Sequence, residues 1–119
     1  MKVININQKL NLFSEYWNPK VIGELNGQLV KLAKFKDEFV WHKHDNEDEL
    51  FYVLEGKLKI EFRDKEVSLN QGEFIIVPKG VEHKPIAIEE CSVMLFEPKD
   101  TVNTGNVKNK LTQQELDNI

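Results

Sequence analysis

Three histidines and one glutamate are spaced so that a single metal ion could be held among them. His42 and His44 are separated by one residue, and Glu49 follows five residues after His44. His83 closes the run Gly72-Glu73-Phe74-Ile75-Ile76-Val77-Pro78-Lys79-Gly80-Val81-Glu82-His83. Imidazole and carboxylate are the usual ligands of zinc, iron, nickel, copper and manganese. Alternate residues of a strand project to one side with alpha carbons roughly 6.5–7 Å apart. His42 and His44 can therefore chelate one ion from the same wall, at the usual metal–nitrogen distance of ~2.0–2.1 Å. Asp45-Asn46-Glu47-Asp48 is polar and turn-prone, so Glu49 begins the next strand and can come back to the same ion. Glu47 and Asp48 compete with Glu49 for that role; the spacing favours Glu49, and the other two read as solvated. His83 arrives from a distant strand. Such a set leaves open positions on a five- or six-coordinate metal, which a catalytic site requires.

The elements that must carry these residues read as short strands. Leu29 to Lys36 mixes apolar and lysine residues. Glu38 to His44 alternates with period two, which places Val40, His42 and His44 on one face and Phe39 and Trp41 on the other. Leu50 to Leu54 is apolar on both faces, and Glu55-Gly56-Lys57 is a turn. Leu58, Ile60 and Phe62 alternate with charged residues, as in a strand wet on one side. Val67 and Leu69 continue that pattern, Phe74 to Val77 is a short apolar strand, and His83 to Ile88 and Cys91 to Glu97 close the series. Many short strands between turns imply an antiparallel sandwich or barrel. Strand parity predicts a lumen lined by Val40, Phe51, Val53, Leu58, Ile60, Phe62, Ile76, Pro85, Val93 and Leu95. Tyr52, Lys31 and Lys84 read as surface residues, and would supply a proton relay only if the register slipped by one. Two short helical segments are expected near the termini. Leu10, Phe13 and Trp17 have helical spacing, and Thr112-Gln113-Gln114-Glu115 has the pattern of a capping box over Thr112 to Asn118.

One domain over residues 1–119 fits this length, with a core at about 29–98 between an N-terminal arm (1–28) and a C-terminal tail (99–119). A hydrophobic share of 40% and a charged share of 30% are those of a globular chain. The net charge of -4 provides no footprint for nucleic acid, and Arg63 is the single arginine. No stretch approaches the ~20 apolar residues needed to span a bilayer, and the N-terminus has no signal-peptide run. A cytoplasmic location without membrane partners is the expectation. Cys91 is the one cysteine, which excludes an internal disulfide; its strand context makes it a small buried hydrophobe.

The stretch His42-Lys43-His44, Glu49, Gly56 resembles the first motif of the cupin superfamily, and Gly72, Pro78-Lys79-Gly80, His83 resembles the second. Phe39 to Phe51 further resembles the small single-domain cupins, often loosely labelled as similar to mannose-6-phosphate isomerase. Lys36 stands where the first motif usually opens with glycine, and Ala87 where the second usually ends with asparagine; neither position is a ligand in the family pattern. The resemblance implies an all-β, double-stranded β-helix, the cupin jelly-roll barrel. It also implies one divalent transition metal (Zn, Fe, Mn, Ni or Cu) held by His42, His44, Glu49 and His83. The expected function is metal-dependent chemistry on a small organic molecule: dioxygenation, isomerisation or decarboxylation. The alternative is a non-catalytic metal-dependent binding or sensor protein. Phe39, Trp41, Tyr52 and Leu54, read as outward-facing, need a cover, either the N-terminal arm or a second copy in a homodimer.

Overall fold

The computed structural model describes all 119 residues. One short helix, α1 (Ile6–Leu10), precedes seven strands: β1 (Lys20–Leu25), β2 (Gln28–Glu38), β3 (Glu49–Glu55), β4 (Lys57–Phe62), β5 (Glu66–Asn70), β6 (Phe74–Val77) and β7 (His83–Pro98). Every pairing among them is antiparallel. The order is β1-β2-β7-β3-β6, with β4 joining β7 and β5. This is the antiparallel β architecture of the cupin jelly roll.

The 16-residue β7 is the seam. Its C-terminal half lies between β2 and β3, with Leu95 opposite both Lys31 and Phe51. Its N-terminal half pairs with β4, where His83 faces Phe62. The β2–β7 register shifts between Phe35 and Asp37, and the β3–β7 register between Val53 and Glu55. Such irregularities bend a strand and let a sheet curl on itself. What was expected as two strands, His83 to Ile88 and Cys91 to Glu97, is thus one bent strand.

The curled sheet encloses a core that includes Phe51, Val53, Leu58, Ile60, Val93 and Leu95, as strand parity predicts. The same parity fails at Ile76, which is 54% exposed while Val77 is buried. β6 has only β3 beside it, and its alternation runs one residue out of step with the expectation. Lys31, expected on the surface, is 1% exposed.

Three further expectations are corrected. Leu10, Phe13 and Trp17 are all buried but do not share a helix. α1 ends at Leu10, Asn5 caps its start by accepting from the Gln8 amide, and Trp17 adopts φ 59°. Leu10 and Phe13 belong to a small cluster with Leu32, whereas Trp17 stacks in the main core on Phe35 (4.3 Å) and Phe39 (4.7 Å). Two separate burials mimic one helical face. Residues 112–118 form no helix either. Thr112 Oγ1 instead accepts from the Asn109 amide and bonds the Thr104 hydroxyl, and the chain end runs beside β1, with the Val21 amide donating to Asp117 O. Finally, Glu38 to His44 is no regular strand. Asp37, the penultimate residue of β2, has φ 65° and turns Phe39 inward onto Trp17, so Phe39 lines the interior. Val40 is half-buried against the core's margin. β1 was not foreseen, although Asn26-Gly27, both at positive φ, is the hairpin turn that announces it.

Leu54 packs against the cluster of Leu10, Phe13 and Leu32, so the N-terminal arm provides its cover. No helix is long and apolar enough to cross a membrane.

Cys91 is buried and free, and burial pushes its thiol up to about 12. Folding therefore keeps the thiol protonated between pH 9.0 and about 12, where an unfolded chain would ionise it. A disulfide reagent at mildly alkaline pH should leave the native thiol unmodified and react promptly once denaturant is added. Rapid reaction of the native protein would contradict the placement.

Candidate metal centre

Residues 39–44 run antiparallel to 80–85 without forming a strand. The Phe39 amide donates to Pro85 O (3.0 Å), and the Gly80 amide donates to His44 O (2.8 Å). Between them His42 and His83 exchange two backbone hydrogen bonds, of 3.0 and 2.9 Å. This bridge sets the two imidazoles side by side, with centroids 4.3 Å apart. His44 lies on the same side as His42, centroids 5.0 Å apart, so the period-two argument holds even though the strand does not. Glu49 is the first residue of β3. The structure thus brings together all four residues that the spacing singled out, and all are buried.

One donor atom from each of the four lies within 4.8 Å of the others. Ligands about 2.0–2.2 Å from a shared ion lie up to about 4.4 Å apart. The cluster is therefore within a fraction of an ångström of a coordinating arrangement.

Two imidazoles are oriented by the same local device. Nδ1 of His42 lies 2.9 Å from Val40 O, and Nδ1 of His83 lies 2.8 Å from Val81 O. An N–H donated to a carbonyl fixes the tautomer and leaves Nε2 as a lone-pair donor. Burial first, and the adjacent His83 second, push His42 down to about 4, which keeps it in the neutral, ligating form. Nε2 of His44 and of His83 lie 3.2 and 3.5 Å from Glu49 Oε1, but neither contact is aligned as a hydrogen bond. These three buried atoms converge without satisfying one another, as donor atoms do around a cation. Burial acts against charge on His44, yet the Glu49 carboxylate beside it raises its pKa.

Two further charged residues adjoin the cluster: one the sequence reading placed mainly on the surface, the other it did not single out. Lys31 on β2 and Glu97 on β7 are fully buried and paired, with Nζ to Oε1 at 2.7 Å. Glu97 stands across the β3–β7 ladder from Glu49 and borders the same inner cavity. Burial, and then the neighbouring Glu49 charge, hold Glu97 well above the usual carboxylate range. Burial also opposes ionisation of Glu49, but contact with Glu97, His44 and His83 overcomes it and holds Glu49 well below that range. The available signal was parity: Lys31 shares a face with Leu29, Ala33 and Phe35, and Glu97 with Val93 and Leu95.

The cluster sits between two spaces. On the inner side a cavity of about 20 Å³, room for one water molecule, is bordered by His42, Glu49, Glu97, Phe39, Phe51 and Leu95. On the outer side a groove of about 160 Å³ is bordered by His44, Asp45, Glu47, Asp100 and Asn106. Its carboxylates favour the approach of cations and oppose anions. Residues 100–106 form one wall of this groove and strap the histidine segment, since Asn106 and Lys43 bond each other through both backbone and side chain (3.0 and 2.9 Å).

The family model described as Cupin domain matches residues 28–97. The chain is 52% identical to a cupin-2 domain containing protein from Shewanella frigidimarina NCIMB 400; the likeness covers 82% of this chain and 95% of that one, with a TM-score of 0.81. Against protein NMB1881 from Neisseria meningitidis the identity is 32%, the coverage 82% and 100%, and the TM-score 0.76. It is also 47% identical over 64 residues to YdbB, an uncharacterized protein of Bacillus subtilis (strain 168). That match covers 53% of this chain and spans 57% of YdbB's own length.

The strap lies outside the matched residues and depends on Gly105. A Cβ there would sit 2.1 Å from Lys43 O and 3.2 Å from the His42 ring, at φ 58°. Gly105→Ala should cost on the order of 2 kcal/mol or more in urea unfolding. Gly27→Ala, at φ 78° but facing open space, isolates the backbone cost of roughly 1–2 kcal/mol. Equal losses in the two variants would mean that the strap is not seated against His42.

Proposed function

The chain belongs to the cupin family, and from that premise we propose that it binds one divalent transition metal through His42, His44, Glu49 and His83 and acts on a small, uncharged organic molecule. The observation that carries this reading is the convergence of the four buried donors, with Nε2 of His44, Nε2 of His83 and Glu49 Oε1 lacking any aligned partner. When bound, such an ion would supply Lewis-acid or redox chemistry. The chain's own part is to orient two of the imidazoles through Val40 O and Val81 O, to exclude bulk water with Phe39 and Phe51, and to hold the Glu97 carboxyl beside the site. Dioxygenation, isomerisation and decarboxylation are the reaction classes that fit a small, largely apolar interior. The acidic groove argues against a phosphorylated sugar.

A second reading, a non-catalytic metal-dependent binding or sensor protein, is favoured by one observation. Besides His42 and Glu49, the polar side chains bordering the inner cavity are Glu97, Asn103 and Trp17, whose Nε1–H is already donated to Lys36 O. Fold alone does not choose between the two, since one fold supports many chemistries.

Metal analysis of the purified protein should find close to one ion per chain, and His44→Ala should lower metal affinity at least tenfold. Turnover of candidate diketones, thiols or sugars that vanishes in His44→Ala would favour the enzyme; ligand binding without turnover would favour the sensor. Failure of the wild-type protein to bind zinc, iron, manganese, nickel or copper would refute both.

A homodimer belongs to the same proposal. Phe74 and Ile76 are 58% and 54% exposed on the outer face of edge strand β6, an apolar pair that a second copy would cover. Light scattering should report twice the chain mass, and Phe74→Lys/Ile76→Lys should halve it. A monomeric wild-type protein would rule the dimer out.

A further inference from the structure

Lys31 and Glu97 are ionisable side chains set wholly inside the barrel, 1% and 2% exposed. Their pairing does not by itself account for them. A buried ion pair is often no more stabilising than apolar side chains of similar volume, because desolvation offsets the attraction. Their place in the sheet suggests a task. β2, β7 and β3 are adjacent, and Lys31, Glu97 and Glu49 form a row across them. Lys31 is opposite Leu95, diagonal to Glu97, and reaches it at 2.7 Å. Glu49 lies one residue beyond the Leu50–Phe96 pair, which sets it across the ladder from Glu97. The row ends at the imidazoles, with Glu49 Oε1 3.2 Å from His44 Nε2 and 3.5 Å from His83 Nε2.

We propose that Lys31 and Glu97 form a positioning pair that holds the Glu49 carboxyl in the rotamer facing the three histidines. Glu49 has no backbone or neutral side-chain donor, unlike His42 and His83, which are each tied to a carbonyl. Without the pair it would have nothing but the core to orient it. Lys31 anchors Glu97, and Glu97 braces Glu49; neither points at the space a reacting molecule would enter from the groove. A metal ligand braced from behind binds tighter, and loss of such a brace typically costs about 10–100-fold in affinity.

This inference rests on the metal reading above, and cobalt(II) titration followed by its visible absorption separates the two. Wild type, Glu49→Gln, Glu97→Gln, Glu97→Asp and Lys31→Met/Glu97→Leu would be compared, with thermal unfolding of each in the absence of metal. The double variant replaces the pair with apolar side chains, so its unfolding midpoint should stay level or rise. Its cobalt affinity should fall about 10–100-fold, with a changed absorption band. Glu97→Gln keeps an oxygen for Lys31 and offers Glu49 an N–H, so it should bind almost as wild type does. Glu97→Asp keeps the carboxyl group but withdraws it by one methylene, so it should bind more weakly than Glu97→Gln; this comparison decides the matter if the double variant does not fold. Wild-type affinity and an unchanged band in both the double variant and Glu97→Asp would overturn the positioning role while leaving the metal site intact. A wild-type protein that binds no cobalt would sink the metal reading and the brace with it.

Discussion

A carboxylate buried among imidazoles is the constraint around which this barrel is organised. Taking the Glu49 charge out of water costs several kcal/mol unless partners compensate it. Three groups close on it: His83 from the start of β7, Glu97 from its end, and His44 from the segment between β2 and β3. Two of the imidazoles have already committed their one N–H to backbone carbonyls. They face Glu49 as acceptors facing an acceptor, and such a set is balanced by a cation. The proposed affinity for a metal would thus be a consequence of how the hydrogen bonds on the far side of the rings are arranged.

That arrangement follows from the bending of one strand. If β7 were straight, His83 and Glu97, fourteen residues apart by their numbering, would stand some 45 Å apart at about 3.3 Å per residue. The register shifts opposite Asp37 and Glu55 fold β7 over, and both ends meet the same carboxylate. The other walls support this closure. Trp17, held by its Nε1–H to Lys36 O at 3.0 Å, stacks on Phe35 and Phe39, and Phe39 stands edge-on to the His42 ring at 5.3 Å. Outside, Gly105 lies so close to Lys43 O that only a residue without a side chain fits. The site is therefore braced by segments on both sides of the family core.

The four donors were legible in the sequence because their evidence is local in two respects: side-chain type and spacing along extended chain. Both survive the loss of regular strand structure at 39–44, since the chain there stays extended enough for His42 and His44 to share a side. Most of the lumen was legible for the same reason. The failures have a common cause, which is that tertiary position overrode a local pattern. Leu10, Phe13 and Trp17 have helical spacing but serve two different clusters. Thr112 looks like a helix cap but spends its hydroxyl on a turn and on Thr104. Phe39 follows strand parity on paper, and a positive φ at Asp37 two residues earlier reverses it. Lys31 and Glu97 were hidden by their chemistry: Lys31, near Lys34 and Lys36, read as a surface lysine, Glu97 read only as a strand end, and parity with their apolar neighbours was the one sign of burial.

The positions of the two spaces bear on which molecules can reach the donors. The inner cavity has room for a single water, whereas the groove is about 160 Å³ and opens beside His44. The groove is thus the roomier approach to the metal ligands, and its border carries Asp45, Glu47 and Asp100. A cation meets attraction along this route and an anion meets repulsion before either reaches the histidines. The carboxyl that could exchange a proton with a bound molecule, Glu97, lies on the opposite side, next to the cavity. The groove and the Glu97 carboxyl are therefore separated by the four clustered side chains themselves. A molecule that uses both must be small enough to extend past His42 toward Phe51, or must draw on the single water that the cavity can hold.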